Sequence, residues 1–414
     1  MRTIASLLFL CFFMKATAQR ECATQSYQAI HNTKPLQFSG TAVTINAANS
    51  INTTGVATGE KQNTVIRIPV VVHVLWNTAA QNISDAQIKS GIAALNRDFR
   101  RQNSDTINTP ARFKAIAADV EIEFVLATAD PIGIATTGII RTQTNVLAFD
   151  MDDKIKFSAQ GGANAWDSKS YLNIWIGNTR RLLGYATIPG GAENIDGLVI
   201  NYTAFGTINT AAPYNLGRTV VHETGHWLGL QHIWGDQACG DDEVSDTPPQ
   251  AGYTSGCPTG FRSSCNNGAA GDMFMNYMDF TNDACMNLFT LGQKARMRSL
   301  FQENGTRHLL LNSKGLNLPW QEEAPLAVAD TTSQVPFFTL YPNPAVQQVS
   351  LQFETQDKMP AGFVYLLDAT GIALQKIAIT SAKQQVNVTG LKPGVYFVKG
   401  VVNNKAISQK LVKL

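Results

Sequence analysis

One segment, His222-Glu223-Thr224-Gly225-His226-Trp227-Leu228-Gly229-Leu230-Gln231-His232, constrains this chain more than any other. Residues four apart share a face of a helix, so the imidazoles of His222 and His226 point at one spot. That spot suits a metal ion. Glu223 beside it offers a carboxylate that can take a proton from a water poised for attack on a carbonyl. Gly229 can adopt the left-handed conformation that ends a helix, and the resulting turn brings His232 back as a third ligand. Three neutral imidazoles leave one position of a zinc ion open to water, whose pKa falls to roughly 7. A bare His-Glu-x-x-His arises often by chance. Here, however, three of the chain's six histidines fall in one segment at the required offsets.

The start of the chain tells where such a site would work. Arg2, an apolar run over residues 4–13 and Ala16-Thr17-Ala18 read as a signal peptide over residues 1–18. The run is too short to span a bilayer, and no later segment reads as a transmembrane anchor. A net charge of +2 over 414 residues argues against a nucleic-acid or membrane partner. Export to an oxidising compartment permits disulfides. Cys11 leaves with the signal peptide. Cys239, Cys257, Cys265 and Cys285 surround the metal segment, and four cysteines allow three pairings. Cys22 is left over, as a free thiol, an intermolecular partner or an incidental residue of a tail.

Downstream, Met275-Asn276-Tyr277-Met278-Asp279-Phe280 reads as a tight turn that would lie beneath the metal, with Met278 as its methionine. Together with Cys239, Asp246-Thr247-Pro248, Cys257, Cys265 and Asp283-Ala284-Cys285-Met286, these motifs resemble the pappalysin family of metzincin metalloproteases. The resemblance implies a secreted zinc endopeptidase with His222, His226 and His232 on zinc and Glu223 as general base. It selects the pairs Cys239–Cys265 and Cys257–Cys285. It implies structural calcium in the acidic loop, for which Asp242, Asp246 and Thr247 are the candidate ligands. It puts Asp283 near the wall of the pocket that receives the residue after the scissile bond, where arginine or lysine would be favoured. The setting Arg20-Glu21-Cys22-Ala23-Thr24 is similar to a cysteine segment in propeptides of this family, which makes Cys22 a latency switch whose thiolate takes the open zinc position. Ala23 stands where that motif has glycine. A second departure is Phe280, two residues after the methionine, where the family has a tyrosine whose hydroxyl reaches the developing oxyanion.

The expected fold is α+β: a metzincin-like zinc protease domain with a mixed twisted sheet and an active-site helix, followed by a small all-β sandwich. Residues 19–63, rich in Thr, Asn, Ala and Gln, read as a propeptide, and residues 64–315 as the catalytic domain. Residues 66–76 are apolar on both faces, as a central strand should be, with His73 a packed strand residue. Ser84-Asp85-Ala86-Gln87 opens a helix that carries Ile88, Ile92, Leu95 and Phe99 on one face. Further strands are expected at 120–126, at 165–167 continuing through 171–176, and at 197–201. Residues 184–189 read as an edge strand that binds extended substrate. The zinc helix is expected to begin near Asn215, and Thr290 to cap a last helix.

Residues 316–336 read as a linker, and residues 337–414 as the β-sandwich. Leu340-Tyr341-Pro342-Asn343-Pro344-Ala345 at one end and Gln409-Lys410-Leu411-Val412-Lys413-Leu414 at the other look like the sorting domain of the type IX secretion system. The partners implied are protein or peptide substrates and that export machinery. Two rival readings remain: a zinc-stabilised binding or adhesion protein that has lost catalysis, and a zinc hydrolase of non-peptide amides.

Overall fold

The computed structural model describes residues 22–31, 65–317, 338–353, 360–368, 373–403 and 405–414. The expected signal peptide, most of the expected propeptide and linker, and the turn expected at residues 368–371 beyond Asp368 lie outside the described residues. The helices are α1 (Thr24–Ile30), α2 (Asp85–Phe99), the short α3 (Ala111–Lys114), α4 (Arg218–Trp227) and α5 (Leu291–Ser299). The first sheet is built from β1 (Ile66–Trp76), β2 (Ile122–Leu126), β3 (Ile139–Gln143), β4 (Leu172–Gly177), β5 (Gly184–Ala186) and β6 (Leu198–Asn201).

The apolar run of β1 follows from its place in the middle of that sheet. Its first half pairs with β2 and its second half with β3, while β4 runs along its other side, all parallel. The sheet continues through β6 to β5, which is antiparallel and forms the edge. One face carries Ile68, Val70, Val72 and Val74 against Ile88, Ile92, Leu95 and Phe99 of α2 and Val220, Val221 and Trp227 of α4. Each such burial is worth about 1.5–3 kcal/mol. The Ser84 cap, which accepts the Gln87 N–H at 3.2 Å, adds about 1 kcal/mol and sets where α2 starts. Asn96 of α2 bonds both the N–H and the C=O of Phe124, satisfying the outer side of β2.

Two expectations are corrected. Only residues 172–177 of the expected Trp-containing strand pair into the sheet; Trp166 lies in a loop, with its N–H on Asn173 Oδ1 at 2.8 Å. Helix α4 begins at Arg218 and not near Asn215, because Gly217 sits in the left-handed region at φ 76° and cannot continue a helix backwards. A Cβ on Gly217 would stand 2.6 Å from Ala94 Cβ, so the same glycine lets α4 approach α2 closely.

The tail comprises β7 (Phe338–Tyr341), β8 (Gln348–Phe353), β9 (Gly362–Leu367), β10 (Ala373–Ile379), β11 (Lys383–Asn387), β12 (Gly394–Val402) and β13 (Lys405–Lys413). These form a sheet in the order β10-β9-β12-β13 and another in the order β11-β8-β7, all antiparallel. Leu340, Val349, Leu351 and Phe353 from one sheet share a core with Val364, Leu366, Val398 and Leu411 from the other. The two end motifs meet: Asn343 Nδ2 donates to the Lys410 carbonyl at 2.6 Å and Asn343 Oδ1 accepts the Val412 N–H at 2.8 Å.

Candidate active site

Helix α4 carries His222, Glu223 and His226, and all three are buried. Gly229, at φ 83°, ends the helical run, and the chain returns so that His232 joins the pair. His226 Nε2 lies 3.2 Å from His222 Nε2 and 3.1 Å from His232 Nε2. Nitrogens around a tetrahedral zinc at about 2.0–2.1 Å stand about 3.3 Å apart, so this triad has the dimensions of a zinc site. The other ring nitrogens are engaged by acceptors. His222 Nδ1 is 2.7 Å from the Tyr277 carbonyl, His226 Nδ1 is 2.9 Å from the Leu230 carbonyl, and His232 Nδ1 meets Asp236 Oδ1. With Nδ1 as the protonated nitrogen, each Nε2 keeps its lone pair for a metal. Burial, then neighbouring His232, holds His226 down to about 3, so it is neutral as a ligand must be. Burial pushes Asp236 up, but its hydrogen bond to His232 outweighs this and holds the carboxylate below its ordinary range.

Met278 packs directly under the helix: a Cβ on Gly225 would lie 2.4 Å from Met278 Sδ. The turn that carries it is held by Asn276, whose Oδ1 accepts the Met278 N–H at 2.9 Å and whose Nδ2 donates to Gln293 of α5 at 2.9 Å. Trp234 stacks on His232 with ring centroids 4.4 Å apart, and Phe280 packs edge-on against His232 at 4.8 Å. Tyr277 does not supply the hydroxyl that Phe280 lacks. It is wholly buried, packs on Phe289, and its hydroxyl has no hydrogen-bond partner among the described residues.

Cys22 enters this site from 200 residues away in sequence. Its Sγ is 3.5 Å from Glu223 Oε2 and 3.6 Å from His226 Nε2, and it completes the cluster Cys22, His222, His226 and His232, whose ligating atoms lie within 4.8 Å of one another. Burial and then the charge of Glu223 push the thiol up, so without a metal it stays protonated. Thr24 Oγ1 donates to the same Glu223 oxygen at 2.9 Å. The sequence reading missed Thr24 and Asp236; the second carries a signal, since it stands four residues after His232.

The remaining candidates separate. Disulfides join Cys239 to Cys265 and Cys257 to Cys285. Thr247 Oγ1 donates to Asp242 at 2.7 Å, whereas both oxygens of Asp246 are engaged at the start of α5, by Thr290 Oγ1 at 2.6 Å and by the Gly292 N–H at 2.8 Å. Burial pushes Asp242 up to about 7 despite the bonds from Thr247 and Val244. Asp283 is buried, and its Oδ2 accepts the N–H groups of Leu216 at 2.8 Å and Arg218 at 3.2 Å, which fixes the turn into α4. His73 packs in β1 with Nε2 3.0 Å from Asn173 Oδ1, and burial pushes it down to about 4.

Residues 157–302 match the family described as pregnancy-associated plasma protein-A, Peptidase_M43, and residues 339–414 match the secretion system C-terminal sorting domain. An extracellular metalloprotease of Verticillium alfalfae is 33% identical over 258 residues, which cover 58% of this chain and 79% of that protein. The chain belongs to the pappalysin family of zinc metalloendopeptidases. Mature mirolysin of Tannerella forsythia, solved in complex with a cleaved peptide, is 52% identical with a TM-score of 0.59, covering 60% of this pappalysin and 96% of that chain. A promirolysin mutant from the same organism is 51% identical with a TM-score of 0.59, covering 60% and 85%. Matches to other extracellular metalloproteases span from 32% to 92% of their lengths. The tail of this pappalysin is a type IX secretion sorting domain, and no helix among the described residues is long and apolar enough to cross a membrane.

Proposed function

We propose that this pappalysin is an exported endopeptidase held latent by its own N-terminal segment, with His222, His226 and His232 as zinc ligands and Glu223 as general base. The observation that carries the reading is the triad of Nε2 atoms 3.1–3.2 Å apart, with Glu223 on the same helix and a thiol from the prosegment seated among them. Zinc, when bound, supplies Lewis-acid polarisation of the scissile carbonyl and acidifies a water. Glu223 takes the proton from the attacking water and delivers it to the leaving nitrogen as the peptide bond breaks. Thr24 and Cys22 block this role while they occupy Oε2. The edge strand β5 orients an extended peptide by adding it to the sheet. Phe280 provides an apolar wall without a hydroxyl, so this position would donate no hydrogen bond to a developing oxyanion.

Arginine or lysine just after the scissile bond is the proposed preference, with Asp283 as its source; the support is the family resemblance, while Asp283 Oδ2 itself is engaged by the N–H groups of Leu216 and Arg218. Calcium is proposed at Asp242 and Thr247, supported by a buried carboxylate in a loop that two disulfides pin. Asp246 is the weaker ligand candidate, since both its oxygens already accept hydrogen bonds at α5.

The test is cleavage of a diverse peptide library by zinc-loaded protein freed of its prosegment, with and without a chelator. Chelator-sensitive cuts before arginine or lysine are expected. No cleavage under those conditions would favour the binding-protein alternative, and Phe280→Tyr would then be the first variant to assay.

A further inference from the structure

The prosegment is held by more than its cysteine. Cys22 bridges to Gly184 of the edge strand, the Ala23 N–H donates to the Gly184 carbonyl at 3.0 Å, and the Ala186 N–H donates to Thr24 Oγ1 at 2.9 Å. Residues 22–24 therefore lie along β5, where an added peptide strand would run. The chain then turns into α1, and the Tyr27 N–H donates back to the Ala23 carbonyl at 2.8 Å, one helical turn from that edge. The Tyr27 side chain drops into a socket on the sheet face opposite α2 and is only 2% exposed. Its ring stacks on Tyr185 of β5 with centroids 4.8 Å apart, and Lys156 Nζ lies 4.8 Å from its centroid. At the base, the phenol donates to Asp153 Oδ2 at 2.7 Å, and Lys156 Nζ donates to the phenol oxygen at 3.1 Å.

This socket is built for a phenol and not merely for a ring. Asp153 and Lys156 are both buried, with Lys156 Nζ 2.9 Å from Asp153 Oδ1 and 2.8 Å from the Ile195 carbonyl. One hydroxyl joins this pair, donating to the acid and accepting from the ammonium, while His31 of the same segment stands 3.5 Å from Asp153 Oδ2. A buried carboxylate deprived of a donor loses a charge-assisted bond, and an apolar ring in the same place would leave it so. When the prosegment departs, Tyr27 departs with it, and the walls formed by Tyr185, Trp175 and Ile155 belong to the part of the chain that stays. We propose that this socket is a substrate subsite that selects a tyrosyl side chain close to the cut, on a peptide running along β5. The inference rests on the reading of this chain as a latent peptidase.

The experiment uses the zinc-loaded protein freed of its prosegment and a set of cleavable peptides identical except for Tyr, Phe or Leu at one position. The substitution is moved through about four residues on each side of the cut, the reach of an added strand. At one position Tyr should exceed Phe in kcat/KM by about tenfold or more, as a site built to bond a hydroxyl rejects the analogue that lacks it. Equal rates for Tyr and Phe at every position, with cleavage intact, would overturn the subsite and leave the peptidase reading standing. Absence of any cleavage would overturn both. Where Tyr is preferred, Asp153→Asn should bring the Tyr-to-Phe ratio to near one, and an unchanged ratio would show that the preference arises elsewhere. The peptide series on the unmodified protein stands even if that variant fails to fold.

Discussion

In the region that holds the histidines, Lys156, Arg218, Arg307, Asp98, Asp153 and Asp196 are all buried, each with a charged partner. In the tail, Ser350 and Lys413 are the buried polar side chains among the described residues, and the core cluster is made of Val, Leu, Ile, Phe, Tyr and Ala345. Both regions fill their interiors, but they use different means to fix them. A paired buried charge holds its neighbours in one orientation, because any other arrangement leaves a charge unsolvated. Arg307 shows this: it bonds Asp196 Oδ1 at 2.9 Å, lies 4.0 Å over the Trp227 ring at the end of α4, and shares Asp196 with the Trp227 Nε1–H. Such bonds aim the metal helix. An apolar sandwich tolerates small shifts, which suits a module read as an export signal and not as a site of chemistry.

Removing single groups from each region tests this difference. The largest effect is expected from Glu223→Ala, which should lower kcat/KM on a peptide by about 10²–10⁴ while metal analysis still finds zinc and the melting temperature holds. Normal cleavage by that variant would remove the mechanism. Next, Arg307→Ala should destabilise the catalytic region by about 3–5 kcal/mol, because it leaves Asp196 buried without its partner; denaturant unfolding followed by Trp fluorescence reads it. In the tail, Leu351→Ala should cost about 2–5 kcal/mol for the sandwich alone and leave kcat/KM unchanged. A loss of activity there would mean that the two regions are not as separable as their cores suggest.

A smaller effect concerns Asp242. Its folded-state pKa, about 7, lies above the ordinary carboxylate value, so the folded chain holds a proton that the unfolded chain has released. Without a cation its contribution should therefore weaken as pH rises from about 4 to about 7. Calcium binds the ionised form and should reverse the trend, stabilising the protein increasingly toward pH 7 and above. Melting curves across that range, with zinc constant and calcium present or absent, decide this; coincident curves would remove Asp242 from the calcium proposal. The smallest effect is Thr290→Ala, which deletes the cap of α5 and should cost about 1 kcal/mol by thermal melting.

Much of the site was legible in the sequence because it depends on offsets along the chain. Four residues put His222 and His226 on one face, a glycine reverses the chain, and Ser84 and Thr290 mark where helices begin. An unbroken apolar run likewise exposed β1, and helical periodicity the inner face of α2. Strand β3 was not legible, since its half-exposed residues neither alternate nor form an apolar run. The start of α4 was misplaced because Gly217 looks like any loop glycine until its neighbours Ala94 and Asp283 are in place.

What the sequence alone determined is therefore the chemistry that local geometry can specify: which atoms could bind zinc, which carboxylate stands beside them, and which end motifs mark the tail. Tertiary structure decided what depends on groups brought together from afar. It set Cys22 and Thr24 on Glu223, gave each histidine its acceptor, turned Asp246 toward α5, and closed a phenol socket over Asp153 and Lys156. The physical reason is that hydrogen bonds and burial depend on separation in space, whereas sequence spacing constrains space only within a single helix, strand or turn.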